Sequence, residues 1–99
     1  MSAFPLRAVF KKVPRSQIEV PVQILISVPK KRFKHAVDRN RVKRQVREAY
    51  RHCKQPLFDA INDNESLLLA FLWISDRQAT SATVARQVER LVGRIAEML

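Results

Sequence analysis

At 99 residues the chain has room for one domain with one modest core, and a hydrophobic share of 46% is too high for a disordered tail. Nineteen Lys and Arg against nine Asp and Glu leave a formal charge of +10, which points to a polyanionic partner, nucleic acid ahead of an anionic membrane surface. A single cysteine excludes an internal disulfide framework and a Cys-rich zinc site. No secretory signal pattern opens the chain, and the longest apolar run, Leu67 to Ile74, is too short to span a bilayer, so a soluble cytoplasmic protein is expected.

Ala3 to Val13 alternates, with Phe4, Leu6, Ala8 and Phe10 on one side and Pro5, Arg7, Val9 and Lys11 on the other. A period of two predicts a strand, and Pro5, which has no N–H to donate, suits an edge or a strand start. Pro14 to Glu19 reads as a connector. Val20 to Val28 reads as a second strand with Val20, Val22, Ile24, Ile26 and Val28 on one face. So short a connector predicts an antiparallel hairpin of the two.

Pro29 to Val37 forms a basic loop, and Asp38 is expected to cap a helix over about Arg39 to Lys54. At about 100° per residue, Val42, Val46, Ala49, Tyr50 and Cys53 fall on a narrow apolar arc. Arg39, Lys43, Arg44, Arg47, Arg51 and Lys54, with Asn40 among them, fall on the adjoining one. Pro56 stops this helix and suits the first turn of a short one from Leu57 to Ile61. Leu67 to Ile74, apolar at every position, predicts a central strand buried on both faces. Ser81 or Thr83 is expected to cap a last helix to about Met98, with Val84, Val88, Leu91, Val92, Ile95 and Leu99 as its apolar stripe. Gly93, the only glycine, sits inside it; close helix–sheet packing and mere drift are both open explanations. The order strand–strand–helix–strand–helix predicts an α+β domain with helices against one mixed sheet.

The charge is concentrated. Residues 30–54 hold eleven basic side chains against Asp38 and Glu48 alone, a net +9, and the rest of the chain carries +1. A solvated helix face usually mixes signs in i,i+4 pairs, and Glu48 is the only acid inside this predicted helix. Arginine forks take phosphate oxygens bidentately, lysines add mobile charge, and the Asn40 amide can both donate and accept. The predicted nucleic-acid-binding set is therefore Lys30, Lys31, Arg32 and Lys34 in the loop, and Arg39, Asn40, Arg41, Lys43, Arg44, Arg47 and Arg51 on the helix. Phe4, Phe10, Phe33 and Tyr50 are candidate stacking platforms, Phe4 and Phe10 equally well core residues.

Enzyme signatures are missing: no dinucleotide-binding glycines, no P-loop, no H-E-x-x-H. Cys53 lies on the apolar arc without a neighbouring base and reads as an inert thiol. Asp59, Asp63 and Glu65 lack the spacing of a calcium loop and read as a polar turn. A metal-dependent nuclease built on them is the weaker rival reading.

The stretch Val28-Pro29-Lys30-Lys31, then Ala36, then Arg39-Asn40-Arg41-Val42-Lys43-Arg44, then Arg47-Glu48, resembles the signature of the protein subunit of bacterial ribonuclease P: two lysines after a strand, then an R-N-R-x-K-R-x-x-R-E helix. The motif covers about residues 24–51, and the order of elements agrees along nearly the whole chain. The resemblance implies a single RNA-binding domain of the ribonuclease P protein fold, with a left-handed β-α-β crossover. It implies a cofactor protein with no catalytic residue, metal or bound cofactor of its own. Its partners would be a catalytic RNA that works with magnesium and the precursor tRNA whose 5′ leader that RNA removes. A ribosomal or other structural RNA-binding protein is the alternative. Many family members have Gly-Asn where this chain has Lys34-His35. They also carry a basic segment and a helix ahead of the first strand, whereas this sequence opens almost directly at Ala3. Without that cover, some of Phe4, Leu6, Ala8, Val9, Phe10 and Leu25 should lie exposed, and weak self-association is expected.

Overall fold

The computed structural model describes all 99 residues. Eight elements follow in order: β1 (Ser2–Ala3), β2 (Leu6–Pro14), α1 (Arg15–Ile18), β3 (Val22–Ser27), α2 (Ala36–Cys53), α3 (Gln55–Ala60), β4 (Glu65–Trp73) and α4 (Ser81–Met98). They form an α+β domain with one mixed sheet of strand order β1-β2-β4-β3.

The expected hairpin is not formed. β2 and β3 run in opposite directions, but β4 lies between them, antiparallel to β2 and parallel to β3. Ala70, at the centre of β4, is matched to Val9 on one side and Leu25 on the other. The most apolar strand has the most to gain from a neighbour on each edge. The β2–β3 connector also cannot act as a tight turn: it winds into α1 and passes Glu19 in the left-handed region at φ 59°. Arg15 pins α1 to the start of β4, donating to the carbonyls of Glu65 at 2.9 Å and Asn62 at 3.1 Å.

β4 is covered on one face only, which corrects the expectation of a strand buried twice. Leu67, Leu69, Phe71 and Trp73 are sealed in the core, whereas Leu68, Ala70 and Leu72 remain half-buried. α2 and α4 pack side by side over the first set. Val42 and Val46 from α2 and Val84, Val88, Leu91, Val92 and Ile95 from α4 join it in one cluster. The Tyr50 ring meets Phe71 edge-on, with centroids 6.2 Å apart. On the uncovered face, Val9 is 53% and Leu25 65% exposed on either side of Ala70. Of the residues expected there, Leu6 and Ala8 face the core instead.

Both long helices start one to three residues before the expected point. α2 begins at Ala36, and His35 supplies the first carbonyl, accepting from the N–H groups of Asp38 and Arg39. Asp38 is thus inside the first turn, where its charge suits the positive end of the helix dipole. α4 is capped by Thr80, whose hydroxyl accepts from the Thr83 N–H at 3.2 Å. Pro56 sits in the first turn of α3. A Cβ on Gly93 would meet no atom within 4 Å, which removes close packing as a reason for that glycine.

Candidate nucleic-acid interface

α2 forms where it does because its apolar positions return every three or four residues. Val42, Val46, Ala49 and Tyr50 are buried, and that seam fixes the rotation of the helix. With the seam turned inward, Lys43, Arg47, Asn40, Arg51 and Arg44 spread over one exposed flank about 100° wide, and Arg41 lies beyond them past Glu48. Two hydrogen bonds hold α2 against the β4–α4 connection: Gln45 donates to the Ala79 carbonyl at 3.0 Å, and Gln78 donates to the Asp38 carbonyl at 3.2 Å. Neither glutamine belongs to a sequence pattern, and nothing in the residues alone signals them.

The basic loop is folded back on the helix. Phe33 is buried beneath it. Arg39 donates to the carbonyls of Phe33 at 2.8 Å and Lys34 at 3.1 Å. Arg32 pairs with Asp76 at 3.1 Å.

The eleven cations of residues 30–54 therefore divide. Arg32 and Arg39 each make protein contacts through Nη1. Arg51 pairs with Glu48 at 2.6 Å, and Lys54 stands 5.5 Å from the centre of the Phe58 ring. Lys30, Lys31, Lys34, Arg41, Lys43, Arg44 and Arg47 have no partner and stand in or beside one ridge that runs from the loop along α2. Asn40 is exposed on the same flank, also without a partner. His52 shares Glu48 Oε1 at 2.9 Å. The side-chain hydrogen bonds from Arg51 and His52 hold the Glu48 carboxyl below its usual range. The one acid on the outer face of α2 thus draws Arg51 away from the flank, a division that the residue order does not reveal.

The arrangement suits a polyphosphate. Seven unpaired cations close together repel one another in the free protein, and that repulsion is relieved when phosphates displace their counterions. Stacking is another matter. Phe33 and Tyr50 are buried and offer no platform, Phe10 is half-buried, and only Phe4 is open, at 64% exposure.

The other candidate chemistry does not assemble. Burial, with Glu89 as a nearby negative charge, pushes the Cys53 thiol up to about 11, and burial likewise pushes Tyr50 up to about 12. Asp59 accepts from Gln55 at 2.9 Å, and Glu65 accepts from Asn62 at 2.9 Å. Asp59, Asp63 and Glu65 do not come together as a metal-binding group. No helix is long and apolar enough to cross a membrane.

Comparison with known proteins agrees with the geometry. The family model described as Ribonuclease P matches residues 3–96. Ribonuclease P protein components of two Porphyromonas gingivalis strains are each 40% identical over 94 residues, covering 94% of this chain and 68% of the relative. The ribonuclease P protein component of Chlorobium phaeobacteroides is 38% identical over 82 residues, covering 75% of this chain and 56% of the relative. That of Chlorobaculum tepidum is 40% identical over 85 residues, covering 81% and 52%. The chain thus spans between 52% and 68% of the length of these relatives. No solved structure matches it. A family match over nearly every residue, carried by a basic helix with an unpaired cationic flank, leads to one conclusion: the chain belongs to the ribonuclease P protein family.

Proposed function

We propose that this ribonuclease P subunit binds the catalytic RNA through the α2 ridge and assists recognition of precursor tRNA. Removal of the 5′ leader is then chemistry carried out by the RNA with magnesium, in the cytoplasm. The observation that carries this reading is the unpaired set Lys30, Lys31, Lys34, Arg41, Lys43, Arg44 and Arg47, of which the last four are held on one rigid helix by a buried apolar seam and the three lysines stand in the loop before it. The rigid helix presents its four charges already positioned, so little order beyond their own rotamers has to be established there on binding. Their work is electrostatic. They neutralise phosphates that would otherwise repel one another as two RNA chains approach, which lowers the magnesium concentration the complex needs.

The protein contributes binding rather than bond chemistry in this reading. Asn40, between two arginines on the open flank, supplies the directional contact that a purely ionic surface lacks. The test is cleavage of precursor tRNA at limiting magnesium by catalytic RNA alone, by protein alone and by both. Stimulation only in the mixture is the expected result. Cleavage by protein alone would instead mark a nuclease, and RNA binding without stimulation would mark a structural RNA-binding protein.

A further inference from the structure

We propose that α4 carries a second RNA-binding surface, formed by Arg86, Arg90 and Arg94 with the exposed ring of Phe4, which holds a single-stranded RNA segment while α2 holds another. The proposal rests on the reading of the chain as an RNA-binding ribonuclease P subunit and adds a site to it.

The three arginines recur at i, i+4 and i+8. Each step advances about 6 Å and turns about 40°, so the guanidinium groups form one shallow stripe. None of them is in an ion pair. Arg94 spends one nitrogen on the Ser2 carbonyl at 3.2 Å, which fixes its side chain and leaves the rest of its fork free. Beside the stripe, Gln87 donates to the Phe4 carbonyl at 2.8 Å. The backbone under Phe4 is thereby tied to α4 while the ring stays 64% exposed. A stripe of unpaired guanidinium groups, that of Arg94 fixed, beside an exposed aromatic side chain makes a surface for an unpaired strand: phosphates meet the arginines and a base stacks on the ring.

The stripe lies apart from the ridge on α2. Ala85, Glu89 and Gly93 of α4 line the groove against Ala49, His52 and Cys53 of α2. Arg94 and Gln87 point the other way, to β1 and the turn after it. The two cationic surfaces therefore occupy opposite flanks of the helical layer, with Glu48 and Glu89 between them. The molecule is 24 Å by 20 Å across its shorter axes, so two RNA segments fit on it at once. A membrane is the poorer partner. An interfacial helix needs an open apolar face beside its cations, and Val84, Val88, Leu91, Val92 and Ile95 are all sealed in the core.

The test is binding of a labelled single-stranded RNA of about ten nucleotides, a length within the range one small fold covers. The unaltered chain should take two per molecule, and R86A/R90A one. Phe4→Ala should weaken the second site roughly tenfold, the effect of losing one stacked base. R44A/R47A reports on the α2 ridge separately. If that variant binds like the unaltered chain, the α2 reading fails and the α4 site stands. Two RNAs still bound by R86A/R90A, with an unchanged salt dependence, would overturn the proposal. So would R86A/R90A losing only adhesion to phosphatidylglycerol vesicles. Both arginines are exposed, and an unchanged thermal melt confirms that the variant is folded.

Discussion

Arg39 reaches back from α2 to the carbonyl of Phe33 at 2.8 Å and to that of Lys34 at 3.1 Å, both through Nη1, so the arginine that opens the basic motif ties the helix to the loop before it. Its Nη1 holds the end of the loop, at the buried Phe33 and at Lys34, against the helix. Arg39→Ala should cost about 1 kcal/mol of stability. It should also weaken RNA binding with little change in salt slope, because a positioned loop is lost and not a phosphate contact. Arg39→Lys should rescue part of it, since a single nitrogen, Nη1, serves both carbonyls and a lysine ammonium also carries several N–H donors. Thermal melts and salt titrations on the two variants check this. A slope that drops by a full contact would return Arg39 to the phosphate-binding set.

Much of this was legible in the residues, for identifiable reasons. The seam Val42-Val46-Ala49-Tyr50 repeats at helical spacing and located α2 and its exposed flank. The unbroken run Leu67 to Trp73 located the central strand. Pairing was not legible. Local alternation shows that Val20 to Val28 is extended but not which strand lies beside it, and the hairpin expectation failed because β4 competed for the same edge. Burial of Leu68, Ala70 and Leu72 was over-read for a related reason: an apolar residue states a preference for cover, not that cover exists. Within the interface, composition counted cations and could not say which were engaged. Asp76, far along the chain, takes Arg32, and Glu48 takes Arg51.

Asn40 and Arg44 share the exposed flank and should behave differently. On the proposed reading Arg44→Ala removes one phosphate contact, so the slope of log K against log salt should become shallower by about 0.7 to 0.9, on any RNA. Asn40→Ala leaves the charge unchanged. It should leave the slope in place and cost about 1 kcal/mol on the specific RNA, with no loss on an unrelated one. Titrating both variants against both RNAs at several salt concentrations separates the two roles. Equal losses for Asn40→Ala on both RNAs would assign the amide to folding.

Cys53 should be a slow thiol. Burial is the main cause of its raised value, about 11 against an ordinary 9.0. With the folded value raised, the neutral thiol is the favoured form in the native state. Its stabilising contribution is whole below pH 9.0 and is lost as pH climbs through about 11. At neutral pH the thiolate fraction falls by about two orders of magnitude relative to a free cysteine, and alkylation should slow accordingly. Iodoacetamide kinetics against pH provide the check, and an inflection near 9 would contradict it.

Gly93→Ala should stabilise the protein. The position is exposed in the middle of α4, and an added Cβ meets nothing within 4 Å. The substitution therefore adds helix propensity without strain, worth about 0.8 to 1 kcal/mol. For a domain of this size that corresponds to a rise in Tm of about 4 to 8 °C. A fall in Tm would mean that the groove beside Ala85 and Glu89 needs the space the glycine leaves.

The uncovered sheet face should drive weak self-association with an unusual salt response. Val9, Ala70 and Leu25 form a continuous apolar row across β2, β4 and β3, with Val9 and Leu25 both more than half exposed. Arg7 and Lys11 stand above and below it on β2, two residues to either side of Val9. Two copies meeting through this face would gain the burial of the apolar row and bring like charges together. Raising salt screens the repulsion and leaves the apolar gain in place. Association should therefore strengthen with salt, the opposite of RNA binding, which loses affinity as counterion release becomes less favourable. Leu25→Lys adds charge and removes apolar area in the middle of the row, so it should abolish association and leave RNA binding through α2 intact. Sedimentation over a concentration series at low and high salt tests both statements. A chain that stays monomeric at high salt, or a Leu25→Lys variant that associates as before, would exclude this face as the contact.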